Sequence, residues 1–187
     1  MYKFLGILIV LFLLVVCLVN PFRELSKDDD WAYALTVRHL LETGNYKLHD
    51  WASANMPVQI YWGALFSKLF SYSFATLRLS TLTLLFMGLI GFYFMLRDFG
   101  SDDTEAGILS LALLASPLVM LFGFSFMTCV PFMSWIILSL WLYMRAIRQK
   151  DYIVMALASL CASAAIGTRQ LGVALPIGLF ATWMLDR

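Results

Sequence analysis

The chain is poor in most of what a soluble enzyme uses for chemistry. Of its 187 residues, three are cysteine, two are histidine and only 13% are charged. Cys17, Cys129 and Cys161 stand singly in apolar stretches, with no Cys-x-x-Cys pair and no Cys/His spacing, which excludes a disulfide framework and a zinc site. Thirteen Lys and Arg against twelve Asp and Glu leave a net charge of +1, so there is no electrostatic footprint for nucleic acid. No internal repeat, low-complexity tract or glycosylation sequon is visible, and no stretch has the composition of a soluble domain.

What the chain has is apolar side chains. They make up 61% of it, against about 45–50% in soluble domains, and the mean hydropathy is +0.82. A membrane helix uses about 20 residues. Apolar runs at 4–20, 75–96, 105–122, 127–144, 152–168 and 170–185, each bounded by charges or a Pro/Gly pair, predict an all-α integral membrane protein with six spans. The first run follows Lys3 as a signal peptide would. It is long for one, and Asn20-Pro21-Phe22-Arg23 offers no small-x-small cleavage site, so it is expected to remain as a membrane helix.

The run 56–72 is ambiguous. Gln59, Gly63, Ser67 and Ser71 recur at i+4 with Lys68 beside them, a polar stripe on one helical face, and Tyr61 and Trp62 lie near the start. This predicts a helix lying in the membrane interface. Counting charges points the same way: with 56–72 lying flat, Arg145, Arg148 and Lys150 fall in a cytoplasmic loop together with Lys3, Arg97 and Arg187. Residues 21–74 then form one long external loop. Within it, residues 28–43 carry apolar positions at Tyr33, Ala34, Val37, Leu40 and Leu41 and end at Gly44-Asn45, which predicts a second amphipathic helix.

Candidate chemistry concentrates in that loop. Asp28, Asp29 and Asp30 form the one acidic run of three. Ser26-x-x-Asp29 fits a capping box, and carboxylates suit a helix N-terminus. The alternative is a carboxylate at the membrane surface that takes a proton from an acceptor hydroxyl or holds a divalent cation. His39 and His49 are lone histidines of the same loop, expected to be surface or partner-bonded. Asp98, Asp102, Asp103 and Glu105 fall on the cytoplasmic side, where Asp102-x-x-Glu105 reads as a helix start. Arg169, followed by Gln170, sits between two apolar runs at the outer face. An arginine beside hydrocarbon is costly and usually paired, and its fork matches a lipid phosphate; snorkelling to ordinary head groups is the other reading.

The order of short motifs resembles the membrane glycosyltransferases of the GT-C fold, specifically the protein O-mannosyltransferase and lipid A aminoarabinose transferase superfamily. The matching stretches are Asp29-Asp30-Trp31-Ala32-Tyr33-Ala34, Met56-Pro57-Val58-Gln59-Ile60-Tyr61-Trp62, Leu77-Arg78-Leu79-Ser80, Thr128-Cys129-Val130-Pro131-Phe132 and Gly167-Thr168-Arg169-Gln170. The resemblance implies transfer of a sugar, with inversion, from a polyprenyl-phosphate carrier to an acceptor at the outer or lumenal face. It makes Asp29, four residues before Tyr33, the base toward the acceptor or a helper in holding a divalent cation, with Asp30 as the second acid. It places Tyr33, Arg169 and Gln170 toward the substrate.

Two positions depart from the family pattern. Cys129 stands where a Thr-Asp-x-Pro motif often has an acid, and Asn55 and Met56 replace the basic or His residue often found before the proline. A neutral thiol cannot replace a carboxylate as base or hard-metal ligand. Family members usually continue with more spans and often a soluble domain, so the chain is expected to be a fragment or a minimal form needing a partner chain. A non-catalytic subunit or flippase accessory of the same fold is the rival expectation. Secondary transport would call for ionisable residues in mid-span, and the spans hold them only near their ends.

Overall fold

Apolar runs separated by short charged or Pro/Gly punctuation leave the backbone few partners but its own, and the chain resolves into helices. The computed structural model describes residues 2–27, 29–52 and 55–185, and no strand occurs among them. The order is α1 (Lys3–Val19), α2 (Asp30–Thr43), α3 (Pro57–Phe70), α4 (Phe74–Asp98), α5 (Asp103–Leu114), α6 (Pro117–Gly123), α7 (Cys129–Gln149) and α8 (Tyr152–Thr168). A 3-10 turn over Gln170–Val173 then leads into α9 (Ala174–Leu185).

Two helices, α4 and α7, are long and apolar enough to cross a membrane. The pair α5 and α6 passes the same test jointly but is bent by 61°. This corrects the expectation of six full-length spans: α1 and α8 have 17 residues each and α9 has 12, short of the roughly 20 that hydrocarbon thickness asks for. The run 105–122 is also not one helix. Pro117 has no N–H and its ring drives Ser116 to ψ 130°, outside the α region, so α5 stops and α6 restarts at a new angle.

One core gathers Leu8 and Phe12 of α1 with Leu85, Leu89 and Tyr93 of α4, Ala106 of α5 and Val119 of α6. A second is built by the loop helices: Tyr33, Val37 and Leu40 of α2 and Met56, Ile60 and Ala64 at and within α3 close over Leu77 of α4 and Phe126. Small residues allow close helix contacts. A Cβ on Gly88 would lie 2.6 Å from Ser134 Oγ, and one on Gly107 would lie 2.4 Å from Phe4 Cβ. Between α7 and α8, the Ser139 hydroxyl donates to the Ala158 carbonyl at 3.1 Å.

On α3 three residues of the small and polar stripe face inward, Gln59 1% and Ser67 5% exposed with Gly63 buried between them, while Lys68 and Ser71 stay exposed and Tyr61, Leu65, Leu69 and Phe70 point out. Gly63 permits the close approach: a Cβ there would stand 2.5 Å from the Phe126 ring. Tyr72, just after α3, donates to the Ala34 carbonyl at 3.0 Å and ties α2 down; burial pushes its phenol above the ordinary range.

Candidate functional site

The stretch between α1 and α2 is a strap pinned at the start of α4. Arg78 is 2% exposed. Its Nη1 donates to the carbonyls of Pro21, at 3.1 Å, and Arg23, and its Nη2 to that of Leu25. Glu24 answers from the strap: its carboxylate accepts from the N–H groups of Phe74 at 3.0 Å and Ala75 at 3.2 Å, a negative charge at a helix N-terminus. Ser73 completes the cap, its hydroxyl accepting from the Thr76 N–H at 3.0 Å. Arg78 was assigned no role in the sequence. The signal was present, because an arginine within the first turns of an apolar span is costly without partners.

The two described aspartates of the acidic run divide at once. Asp28 lies outside the described residues. Asp29 is exposed and occupies the N-cap position of α2, yet its side chain makes no capping hydrogen bond. The Ser26-x-x-Asp29 capping box therefore does not form. Asp30 is fully buried; Oδ1 accepts from the Lys27 N–H at 2.8 Å and Oδ2 from the Phe126 N–H at 3.4 Å. The long-range partner at residue 126 is what draws Asp30 inward and leaves Asp29 free to solvent. Tyr33 is 3% exposed and belongs to the second core.

Arg169 arrives at the same stretch from the other side. It is the C-cap residue of α8, half-buried, with extended backbone at φ −149° and ψ 136°. Its Nε donates to Thr128 Oγ1 at 2.9 Å and its Nη2 to Cys129 Sγ at 3.2 Å. The ion pairs among the described residues are Arg38 with Glu42 and Arg145 with Asp98, so Arg169 has no described carboxylate within 4 Å. Gln170 is exposed at the start of the 3-10 turn. Asp30 and Arg169, 139 positions apart in sequence, thus converge on residues 126–129. Local sequence could not show this, because Phe126 and Thr128 carry no motif of their own beyond the Thr-Cys-x-Pro match.

An apolar groove of about 480 Å³ is walled by Val58 and Trp62 of α3, Trp135 of α7 and Leu160 and Ala164 of α8. Gly167, one turn beyond Ala164 on α8, packs its backbone on Val58, and a Cβ there would stand 2.5 Å from Val58 Cγ2. Arg169 follows two residues later, so the groove and the cation share one end of α8. In the groove wall the Trp135 indole nitrogen is buried with no hydrogen-bond partner among the described residues.

The residues do not fit a divalent cation. Among the described residues no group of three His, Cys, Asp or Glu is placed to hold one, and both Asp30 oxygens already accept backbone N–H groups. Asp98 serves structure on the opposite side, accepting from the Trp141 indole at 2.9 Å. Asp102 and Glu105 form a reciprocal capping box at the start of α5.

Compared with protein-family models, with curated proteins and with solved structures, the chain matches none.

Proposed function

We propose that this chain is the membrane module of a GT-C-like glycosyltransferase, moving a sugar from a polyprenyl-phosphate carrier to an acceptor at the extracytoplasmic face. It is then a multi-pass membrane protein crossing at α4, at α7 and at the bent pair α5 and α6, with residues 21–74 outside, 145–151 in the cytoplasm and the shorter α8 returning from there to bring Arg169 beside Thr128 at the outer end of α7. The observation that carries the reading is Arg169: a half-buried guanidinium, oriented by two neutral side chains, with no ion pair to a described carboxylate, and five residues along the chain from Ala164 in the wall of an apolar groove. A half-buried cation near an apolar groove suits an anion with an apolar tail, and a guanidinium fork matches phosphate.

In the proposed reaction an acceptor hydroxyl oxygen attacks the anomeric carbon from the side opposite the phosphate. The new carbon–oxygen bond forms as the bond to the phosphate oxygen breaks, which inverts the centre. The hydroxyl proton passes to Asp29, the exposed acid, and the electron pair leaves with the polyprenyl phosphate facing Arg169. Asp30, fixed by two backbone N–H groups, holds the start of α2 in place.

The test is transfer of radiolabel from decaprenyl-phosphate-linked mannose or pentose into water-soluble or protein-bound product by membranes containing the protein. Label transfer that falls at least about 100-fold in Asp29→Asn supports the reading. A second reading, a non-catalytic subunit of the same fold, is favoured by Cys129, since a thiol supplies no second acid beside Arg169. It predicts that the lipid-linked sugar binds and is never consumed.

A further inference from the structure

A second polar cluster lies in the first loop, on a cavity that neither Asp29 nor Arg169 lines. The cavity, about 170 Å³, opens between the outer face of α2, at Leu35, Thr36 and His39, and the returning segment with Lys47, His49 and Asp50. Sequence alone gave the two histidines as unrelated; the fold brings them to one opening.

The framework of the cavity is held by its own hydrogen bonds. Thr36 Oγ1 donates to the Ala32 carbonyl at 3.0 Å and accepts from the His49 N–H at 3.1 Å, which fastens the segment to the helix. His49 Nδ1 accepts from the Trp51 N–H at 3.3 Å. In the neutral ring that assigns the proton to Nε2, leaving one outward donor. The His39 ring, the Lys47 ammonium and the Asp50 carboxylate have no hydrogen-bond partner among the described residues. Beside them stands an aromatic pair. Trp31 meets the His49 ring edge-on at 5.3 Å, and Trp51, 6.2 Å from Trp31, is 75% exposed.

The composition of the cavity selects its ligand. Lys47 opposes a cationic guest and Asp50 an anionic one, so the balanced set favours a neutral molecule that both gives and takes hydrogen bonds. The same group of His, Asp and Lys does not make a metal site among the described residues. The volume suits one six-membered ring. A pyranose meets all of these demands: hydroxyls for Lys47, Asp50 and the imidazoles, and an aliphatic ring face for an open indole. We propose that this cavity is a carbohydrate-binding site for one neutral hexopyranose unit, with Trp51, which does not line the cavity but follows its residue Asp50 and reaches His49 through Trp31, as a stacking platform at its rim. The site stands apart from the transferase reading and does not require it.

Saturation-transfer NMR on the full chain in nanodiscs, with methyl glucoside, methyl galactoside and methyl mannoside as probes, tests the assignment. Saturation of ring protons is expected for at least one of the three. Affinity should fall roughly tenfold in Trp51→Ala, be largely kept in Trp51→Phe, and fall again in Asp50→Asn, while Asp29→Asn and Arg169→Ala leave it unchanged. Circular dichroism of each variant confirms that α2 is intact. Absence of transfer to all three sugars overturns the proposal, as does binding that survives Trp51→Ala and Asp50→Asn. Loss of binding in Arg169→Ala would move the sugar to the other site and overturn it equally. A Trp51 quenched by brominated lipid, with sugar binding indifferent to its removal, would make the indole a bilayer anchor instead.

Discussion

The Arg169 guanidinium lies 3.2 Å from the Cys129 thiol, so the cation that closes α8 is oriented by a neighbour that does not neutralise it. Replacing that neighbour tests what the cation is for. In Cys129→Asp a carboxylate stands within ion-pair reach and satisfies the guanidinium internally. Affinity for decaprenyl phosphate in nanodiscs, read by native mass spectrometry, should drop about tenfold or more, since a hydrogen bond to a charged group is worth about 1.5–3 kcal/mol. Cys129→Ser should bind as wild type. Arg169→Ala should lose more than Arg169→Lys, which keeps the charge without the fork. Equal affinity across the series would detach this residue from any phosphate.

Arg78 yields a different kind of prediction, one about the strap. Its removal strands the carbonyls of Pro21, Arg23 and Leu25. Arg78→Ala should cost about 3 kcal/mol or more, and Arg78→Lys should recover only part, because one ammonium cannot span three carbonyls. Thermal unfolding in detergent measures the loss. Limited proteolysis locates it: new cleavage should appear at Arg23 and Lys27 before any appears within α7.

How much of this was visible in the sequence depends on the range of the interaction. Asp102 and Glu105 are three residues apart, and their box forms because nothing distant competes for either side chain. Ser26 and Asp29 have the same spacing and do not form one, because Asp30 binds the N–H of Phe126, 96 positions away, and sets the entry of α2 by that contact. The stripe on α3 was readable as a stripe, but its direction was not. Distant contacts decide it: Gln59, Gly63 and Ser67 pack inward, Gly63 against Phe126 and Leu77, and Leu65 and Leu69 face out. Ser116-Pro117 carried the break in 105–122 plainly, and the apolar composition on both sides concealed it. Convergence of Asp30 and Arg169 on one short stretch lay beyond any local signal.

Gly63 makes the inward packing of α3 measurable. A Cβ there meets Phe126 at 2.5 Å and Leu77 at 3.0 Å, so Gly63→Ala should lower stability by about 1–3 kcal/mol despite better helix propensity. The double variant Gly63→Ala with Phe126→Leu should recover part of it, which a purely local effect on α3 would not allow. Thermal melts of the four proteins give the coupling directly.

The proposed sidedness rests on the basic cluster at the end of α7: the positive-inside rule assigns Arg145, Arg148 and Lys150 to the cytoplasm, and the proposal then puts the first loop outside. In a background where Cys17, Cys129 and Cys161 are replaced, a membrane-impermeant maleimide added to intact cells should label Asn45→Cys and spare Gln149→Cys; both side chains are exposed. The reverse pattern would invert the topology and place Asp29 and Arg169 on the cytoplasmic side.

The two aspartates at the start of α2 separate catalysis from folding. Asp29 is exposed and makes no capping hydrogen bond, so Asp29→Asn removes a charge at a helix N-terminus and little else, a cost of at most about 1 kcal/mol. Asp30 is fully buried with both oxygens engaged. In Asp30→Asn one oxygen becomes an amide nitrogen facing a backbone donor, and the mismatch should cost about 1–3 kcal/mol. Stability and activity should therefore move in opposite order. Asp29→Asn should unfold as wild type does and lose at least about 100-fold in sugar transfer, while Asp30→Asn should melt earlier and retain transfer in proportion to the folded fraction. If Asp30→Asn abolishes transfer in protein that is still folded at the assay temperature, the buried acid is the one the reaction needs. If neither change alters transfer, the acidic run sets only where α2 begins, and the base lies elsewhere.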